Sequence, residues 1–229
     1  SIIKKHIDYF LTPSENLTQF VSNHFQKEGK TLANPILIEK KQNSNSEGNY
    51  ILFVGRLVPE KGILTLLKAF QNIAKQFPNE KLWIVGDGNQ IEELQIFVEN
   101  NELKNVSFLG NKSREELQEI YANSKFSVVP SEYLEAYGNV ILESLAFGKT
   151  VITSDLVGIK EEIEQNNVGL TYSFKNQEAL EEKMVELLSN SGLKSELENN
   201  IPNYLVTKTF AKHFSDLVNV YENLLSRNR

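Results

Sequence analysis

Short apolar runs recur at regular intervals from Tyr50 onward, and a helix-like segment follows each of them. The runs read YILFVG, KLWIVG, VSFLG, FSVVP, TVITSD and GLTYS. Such runs, bounded by Gly or Pro and alternating with amphipathic stretches, are typical of βα repeats around a buried parallel sheet. The pattern therefore predicts a doubly wound, Rossmann-like α/β fold.

Two of the segments between these runs carry strong helix signals. The segment GILTLLKAFQNIAKQF has apolar residues at three-residue steps, which predicts an apolar helix face: Leu64, Leu67, Phe70 and Ile73. In SREELQEIYANS, Ser113 is followed three residues later by Glu116, which fits a capping box. We expect both segments to be helices that cover the sheet.

The two ends of the chain differ from this middle part. Residues 1–39 contain a strand-like HIDYFLT, a helix-like segment that Ser14 would cap, and the stretch NPILIE. Residues 40–49 have no apolar anchor and indicate a linker, with a surface loop inside one domain as the alternative. Residues 50–203 hold the repeats. Residues 204–229 predict one long terminal helix whose apolar positions need a surface to cover.

Composition narrows the class of protein. The chain has 229 residues, and 40% of them are hydrophobic, which is enough for a substantial core. A net charge of −6 argues against general nucleic-acid binding, which depends on clustered Lys and Arg. There is no cysteine, the three histidines lack metal-ligand spacing, and no apolar run is long enough to span a bilayer.

These features predict a cytoplasmic protein, and peripheral contact with the inner face of a membrane stays open. The chain starts at Ser1 and its only methionine is Met184. A trimmed initiator methionine and a longer parent protein both explain that start.

The first candidate site is the loop GRLVPEKG, because ligands of doubly wound sheets bind at the carboxyl ends of the strands. Gly55 allows close backbone approach, and Arg56 and Lys61 lead into the next helix. A planar guanidinium and a compact ammonium at a helix N-terminus suit a diphosphate. Solvated surface charges are the ordinary alternative, and the loop lacks P-loop spacing.

Two further loops carry weaker signals. GDGNQIEEL has the first two glycines of a dinucleotide-binding motif but Ile91 in place of the third, which indicates a tight turn and argues against NAD. Its Asp87 is not part of a DxD or similar carboxylate pair, so we expect no metal site. Residues 108–112 join the next strand to its helix, where they could meet a base edge or simply lead into a capped helix.

The stretch PSEYLEAYGNVILESLAFGKTVITSD places Glu135 and Glu143 on either side of an aromatic-Gly turn. If a helix begins near Gly138, Glu135 lies in the loop before it and Glu143 lies roughly 7 to 8 Å along its axis, at 1.5 Å per residue. Two carboxylates then flank a helix N-terminus whose amides can face phosphate, and each can accept from a sugar diol. Two ordinary surface glutamates would explain the same residues if the stretch stood alone.

This stretch resembles the E-x7-E block of family 4 (group 1) retaining glycosyltransferases of the GT-B fold. ILFVGRLVPEKGILTLLKAF is similar to the Gly-Arg-Leu and Lys-Gly loop of that family, and VSFLGNKSREELQEIYANSKFSVVPS to its connecting block. Order and spacing agree from about Tyr50 to Tyr172. The resemblance implies one half of a GT-B fold, the C-terminal domain that binds a UDP-sugar or GDP-sugar donor without a metal.

The resemblance also implies roles for individual residues. Arg56 and Lys61 would bind the diphosphate and stabilise the leaving group, and Glu135 would bind the transferred sugar. Glu143 would bind the ribose diol. The other implied donor contacts are Gly55, Phe108, Leu109, Gly110, Lys112, Ala136, Tyr137, Gly138 and Asn139.

The sequence departs from the family pattern in two places. A Gly-Gly pair before an acid is common in the family, whereas LVGIKEE keeps only Gly158, so this loop receives no donor role. Residues 1–39 resemble only the end of the N-terminal acceptor domain, and the terminal helix resembles the segment that crosses back to it. We therefore expect a carbohydrate or lipid-linked acceptor to bind outside this chain.

The expected role is donor binding within a retaining hexosyltransferase of bacterial-type polysaccharide or glycoconjugate synthesis, with little or no transfer by this chain alone. Two alternatives stay open. One is a nucleotide-sugar epimerase or hydrolase of related fold, and the other is a non-catalytic nucleotide-binding module.

Overall fold

The computed structural model describes residues 6–36 and 48–227, and a six-stranded sheet forms the centre of the molecule. The predicted linker at 40–49 lies almost entirely outside the described residues, as do the outer ends of the predicted segments 1–39 and 204–229. The strands are β1 (Tyr9–Thr12), β2 (Glu28–Thr31), β3 (Tyr50–Val54), β4 (Leu82–Val85), β5 (Val106–Phe108), β6 (Ser124–Val129), β7 (Val151–Ser154) and β8 (Gly169–Tyr172).

Helices lie between these strands and after the last of them. In chain order they are α1 (Glu15–Phe25), α2 (Ile63–Gln76), α3 (Ile91–Asn100), α4 (Arg114–Ala122), α5 (Asn139–Ala146), α6 (Lys160–Gln165), α7 (Gln177–Ser189), α8 (Ser191–Leu205) and α9 (Phe210–Arg227). The helix predicted from apolar spacing is α2, and the predicted capping box between Ser113 and Glu116 is present at the start of α4.

The order of the strands in the central sheet is β5-β4-β3-β6-β7-β8, and all neighbouring pairs are parallel. The chain winds outward from β3 in one direction and then, from β6, in the other. Doubly wound sheets bind ligands where this reversal occurs, in a crevice outside the carboxyl ends of the strands. The six predicted apolar runs are the six strands, so the predicted fold class is confirmed, and the switch point lies between β3 and β6.

Both faces of the sheet are buried because side chains alternate along the central strand β3. Ile51 and Phe53 belong to a cluster with side chains of α2, α3 and α7, in which Phe70 is fully buried. Tyr50 and Leu52 belong to a second cluster that includes Tyr121 of α4. Burial on both sides explains why the strands are continuous apolar runs.

The N-terminal segment forms a separate parallel pair, β1 with β2, joined by α1. Ser14 precedes α1, but its side chain does not cap the helix, so the predicted cap is wrong. The buried Ser14 hydroxyl donates instead to the backbone carbonyl of Ala136 at 2.6 Å. The Ser14 hydroxyl thus bonds to a carbonyl distant in sequence and not to the first turn of α1. This hydrogen bond links the N-terminal segment to the turn before α5.

The C-terminal segment is not one continuous helix from residue 204 onward, as the sequence had predicted. A 3-10 turn at Val206–Lys208 separates α8 from α9. Lys208 explains the break, because its carbonyl accepts from the N–H of Ile36 and its ammonium pairs with the carboxylate of Glu162. These contacts hold Lys208 in the interior, where its side chain is 6% exposed.

The apolar side chains of α9 are largely uncovered by the described residues. The exposed ones include Phe210, Phe214, Tyr221 and Leu225. Among residues 6–36 and 48–227, no helix is long and apolar enough to cross a membrane.

Gly62 allows the loop after β3 to approach the loop after β6 closely. It lies between a 3-10 turn and α2 with a φ of 68°. A Cβ at this position would lie 1.9 Å from the carbonyl oxygen of Pro130. The approach of the two backbones at the switch point therefore requires glycine.

Gly62→Ala should destabilise the fold by more than the roughly 1–2 kcal/mol that a left-handed backbone costs an L-residue. The excess is expected because the new methyl group meets the Pro130 carbonyl. Gly148→Ala is the matched control, since Gly148 has a φ of 72° but open space where its Cβ would stand. Urea unfolding compares the two free energies of unfolding, and equal losses would contradict the close-approach argument.

Candidate functional site

Two loops meet at the switch point, one leaving β3 and one leaving β6. Their backbones are joined by a hydrogen bond from the N–H of Glu132 to the carbonyl of Glu60, at 2.7 Å. The hydroxyl of Thr65 at the start of α2 also donates to the Glu132 carboxylate, at 2.6 Å. The topology of the sheet therefore brings Lys61 and Glu135 together, although they are distant in sequence.

Lys61 and Glu135 form an ion pair, with Lys61 Nζ 2.8 Å from Glu135 Oε1. Their side chains are only 14% and 12% exposed, so solvent screens this pair less than a surface pair. The other carboxylate oxygen, Oε2, accepts from the hydroxyl of Ser131 at 2.5 Å. Lys61 also donates to the hydroxyl of Tyr133 at 3.2 Å. Two of the predicted catalytic residues are thus in direct contact.

The backbone around Glu135 is held by the loop after β7. The N–H of Glu135 donates to the carbonyl of Leu156 at 3.0 Å, and the N–H of Gly158 donates to the carbonyl of Glu135 at 2.8 Å. A Cβ at Gly158 would lie 2.3 Å from the carbonyl oxygen of Ala136. The Gly158 loop, which received no donor role from the sequence, positions the backbone of the carboxylate.

The turn before α5 leaves the helix N-terminus without a side-chain cap. Gly138 is the N-cap residue with a φ of 97°, and α5 begins at Asn139, as the sequence predicts. Tyr137 and Gly138 are buried, whereas Ala136 and Asn139 are exposed. An uncapped N-terminus keeps backbone N–H groups available, and its dipole favours an anion.

The N-terminal segment supports the same turn. The hydroxyl of Tyr137 donates to the backbone carbonyl of Asn34 at 3.2 Å, and the side-chain amide of Asn34 donates to Asn139 at 2.9 Å. Together with the bond from Ser14 to Ala136, these contacts fix the turn from outside the sheet.

Glu143 lies on α5 and lines a cavity of about 400 Å³ rather than an open helix surface. The hydroxyl of Tyr121 donates to Glu143 Oε2 at 2.8 Å. Burial raises the pKa of the Glu143 carboxyl above its ordinary value, while the Tyr121 hydrogen bond and the Arg114 charge act in the opposite direction. The other residues that line the cavity are Asn34, Pro35, Ile36, Leu117, Gln118, Asn139, Leu142 and Phe147.

The loop at residues 108–112 is not among the residues that line this cavity. Leu109 donates its N–H to the carbonyl of Ile84, and the carbonyl of Gly110 accepts from Gly86. Lys112 pairs with Glu116 at 3.1 Å. The cavity is lined from α4 by the next residues along the chain, including Arg114 and Gln118. Phe108, the last residue of β5, is partly buried against the core.

Gly55 and Arg56 leave the end of β3. The N–H of Gly55 donates to the carbonyl of Val85 at 3.0 Å, which extends the strand pairing into the loop. Arg56 is exposed, and its side chain makes no hydrogen bond or ion pair with another described residue. The structure therefore does not bring Arg56 into the Lys61 and Glu135 pair, and its guanidinium is accessible to a ligand.

Sequence reasoning missed the residues that hold the two carboxylates. Ser131 and Tyr133 both follow β6, in the loop that the sequence had already indicated as a candidate site. Nothing in the sequence marked Tyr121 as a site residue, because a tyrosine near the end of a helix normally packs against the core. In the described ranges, no group of three or more His, Cys, Asp or Glu side chains is arranged to hold a metal ion.

The strand order and the polar loops at the switch point define a doubly wound α/β unit with a candidate ligand site between β3 and β6. The family model described as glycosyl transferases group 1 matches residues 36–204. The chain belongs to this family.

Individual proteins show the same relationship. An uncharacterized glycosyltransferase of Methanocaldococcus jannaschii is 32% identical over 215 residues, which cover 90% of this chain and 57% of that protein. An α-1,4-N-acetyl-D-galactosaminyltransferase of Campylobacter jejuni is 32% identical over 181 residues, covering 77% of this chain and 49% of that protein. The chain thus spans about half the length of these relatives.

A solved structure shows the same fold. A TarM variant of S. aureus, crystallised with UDP among its ligands, superposes with a TM-score of 0.84 at 20% identity. The match covers 96% of this chain and 45% of that one. The fold is therefore that of one part of a GT-B glycosyltransferase.

The Lys61 and Glu135 pair should couple strongly in a double-mutant cycle of unfolding free energies. We expect Lys61→Met and Glu135→Gln to show a coupling of about 1 kcal/mol or more, because the pair is largely shielded. The exposed pair of Lys112 and Glu116, 27% and 52% exposed, is the control and should couple less strongly, because solvent screens it. Equally weak coupling in both cycles would show that the site pair is not formed in solution.

Proposed function

We propose that this chain is the donor-binding part of a glycosyltransferase that transfers a sugar with retention from a UDP-sugar or GDP-sugar to a carbohydrate or lipid-linked acceptor. The observation that carries the proposal is the shielded pair of Lys61 and Glu135 beside the uncapped N-terminus of α5. A cation, a helix dipole and an ionisable acceptor group at one switch point suit a ligand with both a diphosphate and hydroxyl groups.

The diphosphate is assigned to the positive side of this site. Transfer breaks the bond between the sugar C1 and the diphosphate oxygen, which leaves with the electron pair. C1 bonds instead to the oxygen of an acceptor hydroxyl, whose proton passes to the departing phosphate. Positive groups aimed at that oxygen stabilise the charge as it develops. Lys61 is already directed to the site by Glu135 and Tyr133, and the accessible guanidinium of Arg56 supplies a second cation. On donor binding, Lys61 would then turn from its carboxylate partner toward the phosphate.

The two carboxylates are assigned to the two sugars of the donor. When Lys61 turns to the phosphate, Glu135 has oxygens available to accept from hydroxyls of the transferred sugar. Glu143 lies on the far side of the α5 N-terminus, in a cavity with an apolar floor that includes Leu117 and Leu142. This cavity suits the ribose diol, with the nucleoside base toward α4.

The acceptor is assigned to a part of the protein outside this chain. The chain spans about half the length of the relatives described above, and α9 exposes Phe210, Phe214 and Tyr221, which the described residues do not cover. A second domain over this face would cover them. The name of the Campylobacter relative includes a saccharide linked to undecaprenol, which supports a lipid-linked acceptor. On this proposal the chain alone binds donor and transfers little or no sugar.

Isothermal titration with UDP, GDP, UDP-glucose and GDP-mannose tests the donor site. We expect saturable binding of one base family, and Arg56→Ala or Lys61→Ala should each weaken it by about 1.5–3 kcal/mol, the range for hydrogen bonds to charged groups.

Lys104→Ala provides the control for net charge, because Lys104 is exposed in the loop that enters β5 at the opposite edge of the sheet. This variant should bind as the unmodified chain does. Equal losses in all three variants would mean that only net charge matters and would contradict a diphosphate site at the switch point. Absence of binding to all four ligands would contradict donor binding by this chain.

A further inference from the structure

Tyr121 is a buried tyrosine that the assigned donor contacts do not use. It lies near the end of α4 and is 1% exposed. Its ring stacks on that of Phe147, with ring centroids 5.9 Å apart and an angle of 5° between the planes. The ring is therefore held by packing, independently of its hydroxyl group.

Among the described residues, the hydroxyl of Tyr121 has one partner, Glu143, which lines the cavity. It donates to Glu143 Oε2 at 2.8 Å. Burial and the neighbouring Glu143 charge raise the pKa of Tyr121 well above its ordinary value, so the hydroxyl keeps its proton and remains a donor. The second oxygen, Glu143 Oε1, makes no hydrogen bond with another described residue.

A tyrosine hydroxyl acts on a carboxylate differently from a cation. It fixes one oxygen and favours the ionised form without neutralising the charge, so the carboxylate keeps its capacity to accept. The charged or titratable groups that line the cavity with Glu143 are Arg114 and Tyr121, both on α4. Desolvation raises the pKa of Glu143 and disfavours its ionised form, whereas the Tyr121 hydrogen bond and the Arg114 charge lower that pKa.

We propose that Tyr121 is a positioning residue for Glu143: its hydroxyl holds one carboxylate oxygen so that the ionised group presents the other to the ribose diol of a nucleotide-sugar. The inference rests on the proposed function, because it assigns the ribose to the Glu143 cavity. It adds a residue on a different helix that acts on the nucleoside only through Glu143. The orientation of Glu143 would thus depend on the packing of α4 against α5.

Tyr121→Phe tests this inference, because it removes the hydroxyl and keeps the ring that stacks on Phe147. UDP-glucose and GDP-mannose are the probes, since their diphosphates lack the terminal phosphate group that titrates near pH 6. We expect the variant to bind its donor roughly tenfold more weakly at neutral pH, in line with the loss of one hydrogen bond to a charged group.

The pH profile separates positioning from a general structural effect. Donor affinity should rise with pH as Glu143 loses its proton, because the carboxylate is the better acceptor of diol hydrogen bonds. The Tyr121 hydrogen bond lowers the pKa of Glu143, so its removal should move this rise to higher pH. The loss caused by Tyr121→Phe should therefore be larger at pH 5.5 than at pH 8.

Tyr50→Phe is the matched control. Tyr50 is buried in the same cluster as Tyr121, and its hydroxyl donates to the backbone carbonyl of Ile120 at 2.9 Å, not to Glu143. This variant loses one buried hydroxyl and should keep both the donor affinity and the pH profile. Carbon-13 NMR of the glutamate carboxyls gives a readout without ligand, in which Tyr121→Phe should raise the pKa of Glu143 and Tyr50→Phe should not.

The outcomes separate the inference from the proposed function. If the chain binds donor and Tyr121→Phe leaves the affinity, the pH profile and the Glu143 pKa unchanged, the inference is wrong and the donor site stands. Equal losses in Tyr121→Phe and Tyr50→Phe would also overturn it, because the effect would be structural. If the unmodified chain binds none of UDP, GDP, UDP-glucose and GDP-mannose, the proposed function fails, and the assignment of Tyr121 to ribose binding fails with it.

Discussion

The parallel sheet imposes the constraint on which the site depends, because it directs the carboxyl ends of β3 and β6 to one edge. The loops that leave these strands meet at the switch point, and Lys61 of the first loop pairs with Glu135 of the second at 2.8 Å. The meeting requires Gly62, since a side chain there would collide with the Pro130 carbonyl. The ion pair is thus a consequence of the topology and of one glycine.

The spacing between Glu135 and Glu143 has a physical explanation in the helix that starts between them. Gly138 adopts a left-handed conformation, and α5 begins at the next residue, Asn139. Glu135 therefore lies in the loop before the helix, and Glu143 lies just beyond the first turn of the helix. The two carboxylates then have different environments. Glu135 pairs with a cation, whereas Glu143 is buried against Tyr121 in a cavity. Neighbouring groups of the same chemistry can therefore have separate roles at one helix N-terminus.

Much of this architecture was predictable because it follows from local patterns. The apolar runs predicted all six strands of the central sheet, and the start of α5 followed from its aromatic-Gly turn. The contacts that complete the site were not predictable, because Ser131, Tyr133 and Tyr121 act through partners that only the folded chain brings near. The prediction of one long terminal helix was wrong for the same reason. Interior contacts of Lys208 interrupt the helix, and the periodicity of the sequence does not reveal those contacts.

The central claim is that the two carboxylates beside the turn before α5 bind different parts of a nucleotide-sugar. Glu135 binds the transferred sugar, and Glu143 binds the ribose. The most direct measurement is the affinity of the Glu135→Ala and Glu143→Ala variants for the bound nucleoside diphosphate and for its sugar conjugate. The account predicts that Glu143→Ala weakens both ligands alike and that Glu135→Ala weakens chiefly the sugar conjugate. Equal weakening of both ligands by Glu135→Ala, or unchanged affinities in Glu143→Ala, would contradict it.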